Sequence, residues 1–219
     1  MTMNETVKNT IDALKRNRMN AVYAEDKAAV VQTVREMLFP GCTISSGGSV
    51  SLEESGVKAL ITASEYNYLD RLRPGITKEE QLEVYKNVIG CDFYFCSANA
   101  VTENGELVNV DGNCNRIAAL AFGPKKVIVI AGINKLVSDV SEGFLRVKRI
   151  AAPKNAVRLK IDTPCSRLGH CVSLETDSSP DFTAGCCSDN RICASYLITA
   201  RQRLPGRITV ILCGEPLGY

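Results

Sequence analysis

Three stretches of the chain carry residue types whose chemistry goes beyond filling a core. The first is "SSGGS", residues 45–49, where Ser46, Gly47, Gly48 and Ser49 offer open backbone N–H groups and hydroxyls suited to a phosphate or carboxylate. Its spacing matches neither a Walker A loop nor a dinucleotide fingerprint. A tight turn without a ligand is the competing reading, because glycine also serves turns on steric grounds alone. The second is "SANAVTENGELVNVDGNCNR", residues 97–116, which crowds Asn99, Glu103, Asp111, Asn115 and Arg116 between apolar runs. Glu103 or Asp111 could act as nucleophile or general base, Arg116 could pair with an anion, and the asparagines could orient it. A pair of turns satisfied by local Asn, Asp and Gly residues is the alternative. Lys135, in "AGINKLV", follows a buried-strand pattern and could neutralise an anionic substrate; a solvated surface lysine is the commoner case.

The third stretch is "TPCSRLGHCVSLETDSSPDFTAGCCSDNRIC", residues 163–193, with five of the ten cysteines and the only histidine. Thiolates delivered by one loop suit tetrahedral Zn(II) or an iron–sulfur cluster, and a metal would organise a segment lacking a core. The spacing is neither a zinc-ribbon knuckle nor a ferredoxin run. Unligated thiols and disulfides stay open as alternatives. His170 reads either as a ligand or as an exposed loop residue. Cys42, Cys91, Cys96 and Cys213 fall in strand patterns and read as small buried side chains.

The elements that must position these groups follow from periodicity. Residues 3–38 read as two helices ended by Pro40 and Gly41. "CTIS" then predicts a strand, "SGGS" a loop, and Ser51-Leu52-Glu53-Glu54 a capping box opening a helix. "YNYLD" reads as a strand and 78–88 as a helix; "CDFYFCSANAV" and "GELVNV" read as strands joined through "TENG". "NRIAALAF" predicts a helix, "KKVIVIAG" a strand buried on both faces, and 138–159 a helix interrupted at Pro153. The cysteine stretch reads as an irregular loop of about thirty residues, followed by the strands "SYLITA" and "RITVILCG". This alternation predicts an α/β sandwich with a largely parallel sheet. It spans one domain over 1–219: N-terminal helices to 40, a core over 41–160, the Cys-rich loop over 161–195 and C-terminal strands over 196–219.

Composition narrows the function classes. A formal charge of +2 without a basic stripe argues against nucleic acid, and no apolar run approaches a bilayer span. The polar N-terminus does not read as a secretory signal, so a cytoplasmic protein with reduced thiols is expected. With one histidine, in the cysteine loop, and no G-x-S-x-G elbow, a Ser-His-Asp triad is excluded.

"TISSGGSVSLEESGV", "YNYLDR", the run from Ser97 to Val137, "RVKRIAAPKNAVRL", "TPCSRLGHC", "RIC" and "VILCGEPLGY" together resemble the lactate-utilisation (LUD) domain family, which includes the LutC-type proteins. The resemblance implies a three-layer α/β/α fold similar to the NagB, ribose-phosphate isomerase and CoA-transferase group. "TENG" resembles the Ser-Glu-Asn-Gly motif that carries the catalytic glutamate of class I CoA transferases, with Thr102 in place of serine, which implies Glu103. The shorter, cysteine-bearing members carry a pattern similar to Cys-x5-Cys-x2-Cys-x6-Cys. Here Cys165 and Cys171 keep its first spacing, and Cys186 and Cys193 its last. An insertion separates the pairs, and Cys187 makes the third ligand ambiguous. Cys114 stands where relatives usually place glycine. The implied functions are an enzyme acting on a small anionic metabolite, of hydroxy- or keto-acid or acyl-CoA type, or a non-catalytic or iron–sulfur-carrying subunit of a lactate-oxidising complex. Iron–sulfur partner proteins and a homo-oligomer belong to the same expectations.

Overall fold

The computed structural model describes residues 4–219. Its strands are β1 (Asn20–Ala24), β2 (Thr43–Ser46), β3 (Asn67–Tyr68), β4 (Phe93–Cys96), β5 (Ala100–Thr102), β6 (Leu107–Asp111), β7 (Lys126–Gly132), β8 (Leu136–Val137), β9 (Ser195–Thr199) and β10 (Ile208–Cys213). Its helices are α1 (Glu5–Arg16), α2 (Lys27–Met37), α3 (Val50–Glu54), α4 (Val57–Ile61), α5 (Lys78–Val88), α6 (Asn115–Ala121), α7 (Val140–Arg146), α8 (Ala152–Arg158), α9 (Pro164–Leu168) and α10 (Ser173–Thr176). Among the described residues, no helix is long and apolar enough to cross a membrane.

Six strands form an all-parallel sheet in the order β1-β10-β7-β4-β2-β3. Its alternating side chains build two cores. Val127, Val129 and Ala131 of β7 pack with Val7, Ile11 and Leu14 of α1 and with residues of α5 and α6. Ile128 and Ile130 face the other way, toward Val30 and Val34 of α2, Leu52 of α3 and Ile61 of α4. Helices therefore cover both faces, the three-layer arrangement expected of a parallel sheet. Each fully buried Val, Leu or Ile contributes about 1.5–3 kcal/mol by leaving water.

Three departures from the sequence-based expectations shape the site. The first 38 residues hold a strand, β1, between their two helices; "NAVYA" is too short to betray itself by alternation, and it pairs with β10 at one edge. "CDFYFCSANAV" is two strands, because the chain leaves the central sheet after Cys96 and enters a second one of order β8-β5-β6-β9. There "TENG" closes the antiparallel β5–β6 hairpin, and β9 runs antiparallel to β6. The third concerns the glycine loop: α3 begins at Val50 with Ser49 as N-cap, accepting from the Leu52 N–H at 3.3 Å, and Ser51 lies inside the helix.

Of the helix expected over 138–159, Val140–Arg158 is helical, with a π-helical turn at Val147–Ala151, and Pro153 lies in the first turn of α8. It stands just after that wider turn, the kind of distortion that accommodates a residue without an N–H inside a continuous helix. The cysteine stretch contains the single turns α9 and α10 and is otherwise irregular up to β9.

Candidate active site: a cationic cleft at the strand ends

From β2 the sheet grows to β3 on one side and to β4, β7 and β10 on the other, so the strand order reverses at β2. Ligands of open α/β sheets bind outside the carboxyl ends of the strands at such a reversal. A cleft of about 550 Å³ lies there, lined by the segments that follow β2, β4 and β7 and closed from the second sheet by α8, the β6–α6 loop and residues 189–193.

The cleft gathers Gly47, Gly48, Ser49, Asn99, Asp111, Asn115, Arg116 and Lys135, eight of the residues singled out in the sequence. Ser46 and Glu103 are not among its lining residues. Ser46 is buried beside β3, its hydroxyl 2.6 Å from Tyr68 Oη and 3.3 Å from Lys58 Nζ. Glu103 is exposed in the β5–β6 turn, which is held on α1: Asn17 Nδ2 donates to Asn104 O and Gly105 O. Gly105, at φ 81°, leaves no room for a side chain, since a Cβ there would meet the Ala13 carbonyl carbon at 2.6 Å. The turn's asparagine and glycine thus serve packing against a helix, and the glutamate faces solvent.

Arg116 and Asp111 reach the cleft already engaged. Arg116 Nε donates to Asp111 Oδ1 at 2.9 Å. Its Nη1 donates to Ser97 O and Asn109 Oδ1, and its Nη2 to Asn99 Oδ1 and Val110 O, all between 2.8 and 3.0 Å. A guanidinium has five N–H groups, and all five are used. The second oxygen of Asp111 accepts from the Ile117 N–H at 2.9 Å. The ion pair is a knot tying β6 and α6 to the end of β4, with no donor left over for a substrate and no free carboxylate base. Asn99 Oδ1 accepts from the Val110 N–H and from Arg116, and Asn115 Nδ2 donates to Tyr85 Oη. Asn109 Nδ2 is the one buried side-chain donor among the described residues without a partner, since Arg116 fixes the amide with its oxygen inward.

The uncommitted cations lie elsewhere in the cleft. At Gly48, a Cβ would stand 3.7 Å from Arg71 Nη2 and 3.8 Å from Arg158 Nη1, so two guanidinium groups flank the glycine loop. Arg71 donates to Tyr85 Oη, and Arg158 to Asn155 Oδ1 and Tyr219 Oη. Neither forms an ion pair with a carboxylate among the described residues. Between them the N–H groups of Gly48 and Ser49 have no acceptor among the described residues, whereas that of Gly47 donates to Phe95 O. At Gly47 a Cβ would come within 3.2 Å of Tyr94 Oη, so a side chain there would have to shift the tyrosine hydroxyl by a few tenths of an ångström.

Lys135 forms the floor. It is 3% exposed, and its Nζ donates to Ser51 Oγ and Ser97 Oγ at 2.9 Å and to Ala98 O at 3.3 Å. All three acceptors are neutral. Burial, with Arg146 and Arg116 nearby, pulls its pKa down to about 7. An amine that shares its proton at neutral pH can act as base, acid or nucleophile.

Arg71, Arg158, Arg191 and Tyr219 were not marked by any sequence motif as site residues. They come from segments far apart in the chain, and only the fold brings Arg71 and Arg158 to Gly48 and all four into the cleft.

A second, smaller cavity of about 20 Å³ lies behind the cleft wall. Cys165, Cys171, Cys186 and Cys193 all line it, with Lys148, Phe182 and Tyr196. Cys187 is exposed and does not. All ten cysteines are free thiols, and among the described residues no three His, Cys, Asp or Glu side chains stand in metal-coordinating geometry. His170 is half-exposed, with Nε2 3.3 Å from Glu175, and lines neither cavity. Cys42, Cys91, Cys96 and Cys213 are buried in the cores, where burial raises their thiol pKa values.

The LUD domain family profile matches residues 7–213. The chain belongs to the LUD domain family. A crystal structure of a DUF162 family protein from Deinococcus radiodurans matches with a TM-score of 0.52 and 14% identity, covering 96% of this chain and 97% of that one. At that identity the likeness concerns the fold. This LUD domain is also matched by the structure of eIF2B beta from Chaetomium thermophilum, at a TM-score of 0.36 and 18% identity over 55% of this chain and 42% of that one. Among curated proteins, none matches.

Proposed function

We propose that this LUD domain is a cytoplasmic enzyme that binds a small anionic metabolite in the cleft and processes it with the amine of Lys135. The hydroxy- and keto-acid class fits the site best. The observation that carries the reading is the pairing of two guanidinium groups, Arg71 and Arg158, around Gly48 above a buried lysine whose acceptors are all neutral. Arginines without carboxylate partners, beside free backbone N–H groups, favour a bidentate carboxylate or phosphate. With the anionic group so held, its neighbouring carbon would face Lys135, whose neutral amine can take a proton from a hydroxyl or from a carbon next to a carbonyl. Ser51 and Ser97 orient that amine. Glu103 has no part in this scheme, so a covalent acyl-glutamate is not proposed.

The resemblance of the sequence to lactate-utilisation proteins supports the same substrate class. It also supports a second reading, a non-catalytic or iron–sulfur-carrying subunit, and the four-cysteine segment is the observation that favours it. The two separate in one experiment. Purified protein would be screened against hydroxy acids, keto acids and their acyl-CoA derivatives, as wild type and as Lys135→Met, Arg71→Ala and Arg158→Ala. The enzyme reading expects turnover that Lys135→Met abolishes and the arginine variants weaken through KM. Turnover indifferent to Lys135 would sink the assignment, and co-purification with an iron–sulfur partner without activity alone would favour the subunit.

A further inference from the structure

We propose that Cys165, Cys171, Cys186 and Cys193 bind one thiophilic divalent metal ion, such as Zn(II), in the cavity behind the cleft wall. Four thiols drawn from 29 positions of chain converge on one void, while Cys187, the direct neighbour of Cys186, is turned to solvent. Chance clustering of cysteines in an irregular loop does not select four of five in this way. The donor set is that of a structural zinc site. The void holds about 20 Å³, room for one water-sized occupant, which favours a single ion over a cluster of several irons and sulfides. Ligation would therefore proceed by the thiol groups turning onto a single ion, since they do not stand in coordinating geometry without it.

The charge around the cavity supplies the second argument. Four thiolates on a divalent ion carry a net charge of −2, which needs compensation when it is buried. Two cations are in place. Lys148 is buried on the cavity wall, and its ammonium donates to the neutral oxygens of Ser173 and Ala184. Arg191 donates from Nε to Cys193 Sγ at 3.3 Å and to Cys193 O at 3.0 Å, and from Nη1 to Cys186 O at 3.3 Å. Cys171 is placed by its own N–H, which donates to Lys148 O at 2.9 Å. Phe182 closes the outer side by stacking on Phe144, with ring centroids 4.7 Å apart. On binding, four S–H bonds give way to four metal–sulfur bonds and four protons leave to solvent, so affinity rises with pH.

The site stands apart from the reaction proposed above, and its test reads metal rather than turnover. Full-length protein prepared reduced and metal-free would be titrated with Co(II). One equivalent should bind, with the intense thiolate-to-cobalt charge-transfer absorption and the visible bands of a tetrahedral site. Cys165→Ser, Cys171→Ser, Cys186→Ser and Cys193→Ser should each weaken binding by at least tenfold and alter the bands, while Cys187→Ser leaves both unchanged. Because a serine variant can fail to fold, alkylation of the wild-type protein provides a second reading. Zn(II) should shield Cys186 and Cys193, while Cys187 and Cys114 react with or without it. Absence of the thiolate bands, equal alkylation with and without Zn(II), or anaerobic purification with several irons and acid-labile sulfide per chain would each overturn the single-ion site.

Discussion

The cleft and the thiol cavity share a wall of Val147, Ala152 and Cys193, yet they are built by opposite means. The cleft hangs from the ends of a parallel sheet whose cores fix every strand, and its polar groups are mostly tied before any ligand arrives. The cavity belongs to a segment with two single helical turns and little else, held by Arg191, Lys148 and one aromatic stack. The difference teaches where each needs help to form. A cleft on a rigid sheet can be preorganised for chemistry by buried donors, whereas a loop without a core gains its order from what it binds.

The sharpest way to break that contrast is at Lys135. Lys135→Met keeps the volume and removes the amine, and turnover on the cleft's substrate should fall by about two orders of magnitude or more. The wild-type rate should rise with pH through about 7 as the amine loses its proton, a limb the variant lacks. Stability should rise with pH as well. The folded-state pKa lies below the ordinary 10.5, so between about 7 and 10.5 the unfolded chain binds the extra proton and stability rises with pH. Urea unfolding across that window should show a gain on the order of a few kcal/mol in the wild type that vanishes in Lys135→Met. A gain that survives the substitution would show that Lys135 is not the group responsible.

Arg116 tests preorganisation itself. Lysine brings three donors where the site uses five, so Arg116→Lys leaves buried acceptors and Asp111 underpaired and should cost about 3 kcal/mol of stability. A loss of unfolding free energy under a quarter of that, read from the urea midpoint and slope, would mean the knot is ornamental.

Here the limits of the sequence become physical. "KKVIVIAG" announced a strand buried on both faces, and β7 is that strand, because uninterrupted β-branched residues can only be covered from two sides. "DGNCNR" and "AGINKLV" announced polar groups at strand ends, and the sheet brings them into one cleft. What spacing could not show is commitment: Arg116 reads as an available cation, and only the three-dimensional arrangement reveals five acceptors around it. Arg71 and Arg158 had the reverse problem, being ordinary basic residues until the strand reversal at β2 set them beside Gly48. "TENG" fits two roles for a related reason, since a tight hairpin packed on α1 and a catalytic turn both call for Asn-Gly. The cysteines were legible as a set, and the fold adds that Cys186 lines the cavity while Cys187 faces solvent.

The two flanking arginines should separate binding from folding. Arg71→Ala and Arg158→Ala should each weaken binding of inorganic phosphate, measured calorimetrically, by roughly tenfold. As cations without carboxylate partners, they should change stability by less than about 0.5 kcal/mol. A loss of stability comparable to that of Arg116→Lys would place them with the knot instead.

The shared wall gives a subtler test of whether the two regions are independent. Arg191 lines the cleft while its Nε holds Cys193, so a metal on Cys193 should fix the arginine and strengthen phosphate binding by about fivefold. Reciprocity requires phosphate to tighten Co(II) binding by the same factor. Identical phosphate affinity with and without metal would leave the cavity as a fastening for the loop, with no influence on the cleft.

The smallest effect sits at Cys114, between the two regions. It precedes α6 at φ 58°, a left-handed conformation that costs a non-glycine residue about 1–2 kcal/mol. Glycine would remove that cost, and two terms oppose the gain: about 0.4–1 kcal/mol from the looser unfolded chain, and the hydrogen bond from Cys114 Sγ to Ser195 Oγ at 2.9 Å, which is weak and exposed. Cys114→Gly should therefore stabilise the protein by about 0.5 kcal/mol, read as a higher urea midpoint at unchanged slope. If the variant is instead less stable by more than that amount, the thiol contributes to fastening β9 against the start of α6. The sulfur chemistry of the chain would then extend from the loop to the rim of the cleft.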